Sequence, residues 1–138
     1  MSRSGYSDDC GGWPLICWRG AVNAAIKGAR GQAFLRELAA ALDAMPEKRL
    51  IANELRSTDG EFCTLGVLGA ARGIEMSKLD PGDRDSVGAA FDIAPALAAE
   101  IVFENDEACW YDYDEKPEAR WQRMRAWVEL NLKGEDHA

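Results

Sequence analysis

Apolar residues recur at helical spacing through the first third of the chain, and this periodicity constrains the fold more than any other feature. One stripe follows Pro14 and consists of Leu15, Trp18, Val22, Ala25, Ile26 and Ala29. A second stripe precedes Pro46 and consists of Phe34, Leu35, Leu38, Ala41, Leu42 and Met45. Residues three and four positions apart share one face of an α-helix, and proline favours a first helical turn and stops a preceding helix. The sequence therefore predicts two amphipathic helices between these two prolines.

Four shorter segments also have helical patterns, and turn signals separate them. The predicted helices cover residues 65–73, 84–91, 94–105 and 117–132. Residues 48–64 are ambiguous, because the sequence KRLIANEL fits either a short strand or a helical turn. Thr58-Asp59-Gly60 is a turn signal, and we expect a small β-hairpin around it.

The predicted fold is mainly α: a compact single-domain helical bundle of five or more helices, with any sheet limited to a small β-hairpin. We expect a loose N-terminal arm over residues 1–13, one helical domain over 14–133 and a C-terminal tail over 134–138. The helical stripes assign six large side chains to one buried core, namely Trp18, Leu38, Leu42, Ile101, Trp121 and Val128. With 138 residues, of which 47% are apolar, the chain is long enough to form such a core.

Negative charge is concentrated in one part of the chain. The net charge is −8, and residues 80–118 alone hold twelve acidic and two basic residues. Such a surface repels nucleic acid and favours either a basic protein partner or solubility alone. The longest nearly apolar segment, residues 93–103, contains Glu100 and is too short to cross a bilayer. Because the N-terminus also lacks the pattern of a signal peptide, we expect a cytoplasmic protein.

The residue types that most enzymes and metal sites need are scarce or badly spaced. The only histidine, His137, is next to the last residue, which argues against serine and cysteine hydrolase triads. The cysteines are Cys10, Cys17, Cys63 and Cys109, and none of them forms the C-x-x-C pair of a zinc site. We therefore expect no catalytic residue, no metal and no cofactor. An enzyme that uses carboxylates and a metal is the less favoured alternative.

Two motifs have the outline of functional ones but lack the residues that the function requires. Gly66, Gly69 and Gly73 do not have the spacing of a phosphate-binding loop, and we interpret them as close packing of a short helix. Residues 86–101 have the outline of a helix-turn-helix. The second helix offers mainly alanines where a DNA reader needs basic and amide side chains. We interpret this segment as a pair of packed helices.

Residues 106–116, DEACWYDYDEK, are called the acidic aromatic segment below. Trp and Tyr dominate binding hot spots, so exposed rings here would anchor a partner, whereas buried rings would anchor the core. The predicted partner-binding residues are Asp106, Glu107, Trp110, Tyr111, Asp112, Tyr113, Asp114 and Glu115. We expect the acids to face solvent and to form one continuous negative surface. If they pair instead with Arg120, Arg123 and Arg125, the charge is structural and the binding hypothesis loses its main support.

Four segments of the chain resemble a group of small acidic proteins that bacteriophages and prophages of proteobacteria encode. The segments are WRGAVNAAIKGARGQAFLRELAAALDAMPEKRLIANEL, FCTLGVLGAARGIEMSKLD, FDIAPALAAEIVFENDE and RWQRMRAWV. The resemblance runs from about Trp13 to Leu132 and is a whole-chain likeness rather than a catalytic signature. It carries over no functional residues, because the family has no established activity. It also implies glycine at the position of Asp92, so we expect a different turn there.

The resemblance implies a phage accessory protein, and many small proteins of this kind block a host protein such as a restriction enzyme or a CRISPR complex. With the acidic aromatic segment and the missing catalytic residues, it leads us to expect a non-enzymatic inhibitor or adaptor in the bacterial cytoplasm. The expected partner is a host protein with a basic nucleic-acid-binding surface, and we expect no direct contact with nucleic acid or membrane. The alternative is a phage structural or housekeeping protein with no defence target.

Overall fold

The protein is mainly helical, as the sequence predicts. The computed structural model describes residues 13–107 and 115–133. Within these ranges the helices are α1 (Trp13–Lys27), α2 (Ala29–Asp43), α3 (Thr64–Arg72), α4 (Arg84–Phe91), α5 (Pro95–Asp106) and α6 (Pro117–Asn131). Helix α1 begins one residue before Pro14, and α2 ends at Asp43, ahead of Pro46. The four shorter predicted helices match α3 to α6 within one or two residues.

Helices α1 and α2 approach each other so closely where they meet that only glycine fits in the first turn of α2. Gly28 has an extended backbone and separates the two helices. Gly31, in the first turn of α2, lies so close to α1 that a Cβ atom would overlap the carbonyl oxygen of Ala25. The close approach of α2 to α1 therefore depends on the absence of a side chain at Gly31.

The expected hairpin is reduced to a turn with a single bridge. Arg56 and Phe62 form one isolated antiparallel bridge, and Gly60 takes the left-handed conformation that the turn requires, with φ of 81°. The backbone N–H of Ser57 donates to the carbonyl of Glu61 over 2.8 Å. No strand is present within residues 13–107 and 115–133. Two further backbone hydrogen bonds join the arms, from Cys63 N–H to the Leu55 carbonyl over 3.2 Å and from Ile51 N–H to the Phe62 carbonyl over 3.0 Å, without forming a regular strand pair.

Helices α4 and α5 form a bent pair whose packing depends on small residues. Their axes differ in direction by 106°. Asp92 ends α4 in the left-handed conformation, with φ of 57° and ψ of 48°. At the crossing, a Cβ atom on Gly88 would lie 2.9 Å from the carbonyl oxygen of Ile93. The backbone at Asp92 thus has the left-handed conformation that glycine adopts without strain. Because Asp92 has a side chain, this conformation is strained there.

No single helix of the described chain is long and apolar enough to cross a bilayer. Only α4 and α5 taken together reach that length and hydropathy, and they are bent at the break between them.

All six helices contribute side chains to one core cluster. Four of the six predicted core residues are fully buried, namely Leu38, Leu42, Ile101 and Val128. Trp18 and Trp121 are only partly buried and pack against the cluster. The indole N–H of Trp121 donates to the Leu42 carbonyl over 3.2 Å. Cations lie over both ring faces, since Arg84 is 4.5 Å from the ring centroid of Trp18 and Lys48 is 5.7 Å from that of Trp121. Large rings with a polar edge tend to take such boundary positions.

Candidate functional site

The acidic aromatic segment lies between α5 and α6, and the structure describes both of its ends. Asp106 is the last residue of α5, Glu107 follows it, and Glu115 precedes α6. Five of the predicted partner-binding residues lie outside the described residues, namely Trp110, Tyr111, Asp112, Tyr113 and Asp114. The structure therefore tests the flanks of the candidate site.

Glu115 does not face solvent, so the sequence-based expectation is wrong for this residue. Its side chain is only 5% exposed. The carboxylate accepts hydrogen bonds from Nε and Nη2 of Arg123 over 2.8 and 2.9 Å, and it lies 3.4 Å from Nε of Arg120. A carboxylate that leaves water needs such charged partners, because unpaired burial costs several kcal/mol. The charge of Glu115 is therefore structural, and the binding hypothesis loses the support that this acid would have given it as a solvent-facing charge.

The same two arginines also hold the other flank of the segment. Nε of Arg120 and Nη2 of Arg123 donate to the carbonyl oxygen of Asn105 over 3.1 and 3.2 Å. Nη1 of Arg123 donates to the carbonyl of Glu104. These carbonyls belong to the last turn of α5, where they lack helical partners and carry partial negative charge. Two guanidinium groups on α6 thus bind both the residue before the segment and Glu115 at its end. We call Arg120, Arg123, Glu115 and the Asn105 carbonyl the arginine clasp.

The buried side chain of Asn105 holds the end of α5 in the position at which the clasp binds it. Asn105 is 1% exposed, and its side-chain oxygen accepts hydrogen bonds from the N–H and hydroxyl of Thr64 over 3.1 and 2.8 Å. Its amide nitrogen donates to the carbonyl of Ile51 and to the carboxylate of Asp106. The same Asp106 oxygen accepts the N–H of Asn53 over 3.1 Å. Asp106 is therefore engaged within the fold, and Asn105 and Thr64 are positioning residues that the sequence analysis missed.

A pair of carboxyl groups lies on α5 beside the clasp. Glu100 is buried, and its carboxylate lies 3.6 Å from Nη1 of Arg19 on α1. Glu104, one turn later, is half-buried, and burial together with the neighbouring Glu100 charge raises the pKa of Glu104 to about 7. Arg123 and Arg19 act in the opposite direction on the pKa of Glu104. A carboxyl with this pKa exchanges its proton near neutral pH. In the sequence, the only signal was an acid at helical spacing within an apolar segment.

Other acids of residues 80–118 lie at separate places in the fold. Asp92 lies 3.6 Å from Arg30 at the turn after α4. Glu118 lies 3.7 Å from Arg49 at the start of α6. Asp83 caps α4 and accepts from Ser86, and these hydrogen bonds lower the pKa of Asp83. Asp83, Asp92 and Glu118 are thus each engaged with a different partner.

The two described cysteines are free thiols in different environments. Cys17 is exposed on α1, whereas Cys63 is buried at the start of α3. Burial raises the pKa of the Cys63 thiol to about 12, which keeps it protonated and unreactive at neutral pH. Cys10 and Cys109 lie outside the described residues. Among residues 13–107 and 115–133, no three Cys, His, Asp or Glu side chains are grouped to hold a metal ion.

Comparison of the chain with known protein families, with curated proteins and with solved structures finds no match.

Proposed function

We propose that this protein is a non-enzymatic bacteriophage accessory protein that binds a host protein through the acidic aromatic segment. In this proposal it is a counter-defence inhibitor, such as an anti-CRISPR or anti-restriction protein. The arginine clasp is the observation that carries the proposal. It fixes both ends of a segment that contains Trp110, Tyr111 and Tyr113, and a binding segment with fixed ends loses less conformational entropy when it binds.

The arrangement of charge changes the roles that we assign within the segment. Glu115 and Asp106 hold the scaffold, because both carboxylates are engaged inside the fold. The proposed contact residues remain the three aromatic residues together with Glu107, Asp112 and Asp114. The proposed partner remains a host protein with a basic nucleic-acid-binding surface, and the acids mainly speed its encounter with the segment.

We also propose that residues 14–133 form one compact domain in the cytoplasm of the host, with the turn at Gly60 as a small hairpin. The shared core supports a single domain, since buried residues of all six helices belong to one cluster. The bridge between Arg56 and Phe62 supports the hairpin.

Plaque formation on hosts with and without a defined defence system tests the proposal. We expect the protein, expressed in a host with an active CRISPR or restriction system, to raise the plaquing efficiency of a targeted phage by at least tenfold. Replacing Tyr111 and Tyr113 together with alanine should abolish the effect. An Asp59→Ala variant, altered in an exposed turn away from the clasp, should retain it.

Circular dichroism and thermal melting show whether each variant is folded, so a loss of protection can be assigned to binding. No protection against any defence system tested would favour the alternative of a structural or housekeeping phage protein. Full protection by the double tyrosine variant would overturn the assignment of the contact residues.

A further inference from the structure

The largest concavity described lies far along the chain from the clasp and shares no residue with it. It has a volume of about 670 Å³ and lies between the turn at Gly60 and the segment that follows α3. Gly73 ends α3 in the left-handed conformation, with φ of 72°, and so directs residues 74–77 back along the helix. Met76 then packs where a Cβ atom on Gly69 would overlap its sulfur. Two glycines therefore build one wall of this cleft.

The floor of the cleft is apolar and only partly covered. Phe62 and Ile74 are half-buried members of the layer that packs on the core, and Met76 is 8% exposed. A volume of several hundred Å³ is in the range of small-molecule sites, which span about 300–1,000 Å³, and polar and apolar side chains share the lining of this cleft. Apolar side chains left partly open at the bottom of a concavity favour a ligand with an apolar body.

One charged group at the rim is exposed and makes no side-chain hydrogen bond within the described chain. Arg56 is exposed, and its guanidinium makes no hydrogen bond and no ion pair with residues 13–107 or 115–133. Glu75, at the other side of the cleft, is already engaged: its carboxylate accepts the N–H of Ser77 over 2.9 Å and also the Ser77 hydroxyl. The Ser77 hydrogen bonds, together with the nearby charge of Arg56, lower the pKa of Glu75. The rim therefore offers an exposed guanidinium whose charge already acts on this carboxylate. Thr58 adds an exposed hydroxyl beside Arg56.

We propose that this cleft binds a small amphipathic monoanion, with its carboxylate on Arg56 and its apolar body on Phe62, Ile74 and Met76. A guanidinium and a carboxylate form paired, charge-assisted hydrogen bonds, which fix the orientation of such a ligand. A polyanion such as nucleic acid does not fit, because the protein carries a net charge of −8 and Glu75 lies at the same rim.

Titration of the full chain with 4-phenylbutyrate tests the proposal, with binding followed by backbone amide NMR shifts. We expect a dissociation constant on the order of 1 mM, as befits a ligand of this size. The shifts should be confined to residues around Phe62 and residues 73–77. The neutral analogue 4-phenylbutanol should bind at least tenfold more weakly, because it cannot form the charged pair with Arg56.

Three variants make the test specific. Arg56→Gln should weaken 4-phenylbutyrate binding at least tenfold, and Arg56→Lys should weaken it less, since it keeps the charge but loses the paired geometry. Glu75→Gln should tighten binding by roughly twofold, because a nearby negative charge is removed. The matched control Arg36→Gln removes an exposed arginine on α2 that does not line the cleft, and it should bind as the wild type does.

Three results would overturn the proposal: no shifts near Phe62 at 10-fold the expected dissociation constant, equal binding of the acid and the alcohol, or unchanged binding by Arg56→Gln. Since Arg56 is exposed and its side chain makes no hydrogen bond or ion pair in the described fold, its variants should remain folded, and thermal melting checks this.

Discussion

At the scale of single residues, Glu104 has a pKa near neutral in the fold and a much lower pKa in the unfolded chain, so its protonation links stability to pH. Its pKa is about 7 in the fold and 4.5 in the unfolded reference, because burial and the Glu100 carboxylate disfavour its charge. The folded state therefore binds more protons between these two values, and stability falls as pH rises through that window. Below the unfolded pKa the contribution is fully present, and above the folded pKa it is lost.

We expect the free energy of unfolding to fall by about 1–2 kcal/mol from pH 5 to pH 8 through Glu104, a figure discounted for its partial exposure. Glu104→Gln should remove this part of the pH dependence, because a neutral amide mimics the protonated acid beside Glu100. Urea denaturation at both pH values measures the difference between the two proteins. Parallel stability curves for wild type and variant would show that Glu104 titrates normally.

At the scale of elements, the arginine clasp joins the end of α5 to the start of α6. We expect Glu115→Ala to lower the free energy of unfolding by about 3 kcal/mol, because it leaves two part-buried guanidiniums without their carboxylate. The matched control is Asp43→Ala, which removes a carboxylate bound by Arg125 at 2.8 and 3.1 Å on an exposed surface. That change should cost less than about 1 kcal/mol.

Both variants are compared with the wild type by urea denaturation at pH 7. Equal losses would mean that the buried and exposed ion pairs contribute alike, and the clasp would then have no special role in holding the two helices.

The corner between α1 and α2 permits a second comparison of matched variants. Gly31→Ala should lower the free energy of unfolding by about 1–3 kcal/mol, because its methyl group overlaps the carbonyl oxygen of Ala25 and forces the helices apart. Gly20→Ala, inside α1 and with open space around it, should raise it by about 0.5–1 kcal/mol. Thermal melting of both proteins gives the two signs, and stabilisation by Gly31→Ala would contradict the packing described at this corner.

At the scale of the whole molecule, the helices could be predicted because periodicity is a local property. The stripe that contains Leu38 and Leu42 fixes which face of α2 is buried, whatever the helix packs against. The expected strand pairing was harder to judge, since it depends on competition between two local alternatives. Leu50 and Leu55 are buried in the helical core, and the chain around Arg56 makes one bridge with a few neighbouring hydrogen bonds instead of two strands.

At the candidate site, the side-chain partners could not be predicted from the sequence, because they come from distant parts of the chain. The sign of the charge on Glu115 is visible in the sequence, but its partners are set by the crossing of α5 and α6. The same holds for Asn105, whose four hydrogen bonds join three separate parts of the chain. The surroundings of Arg56 also depend on the fold, because the cleft beside it forms only when residues 74–77 fold back over α3.

The clasp also binds positions 105 and 115, on either side of the stretch of chain that follows Glu107. Because two guanidiniums hold these positions together, the intervening sequence can be exchanged or lengthened at small entropic cost, about 0.6 kcal/mol for each doubling of its length. The helices then act as a fixed frame with a replaceable insert. Such a frame lets evolution diversify the insert quickly, and it offers protein engineers a place to graft foreign peptides for display.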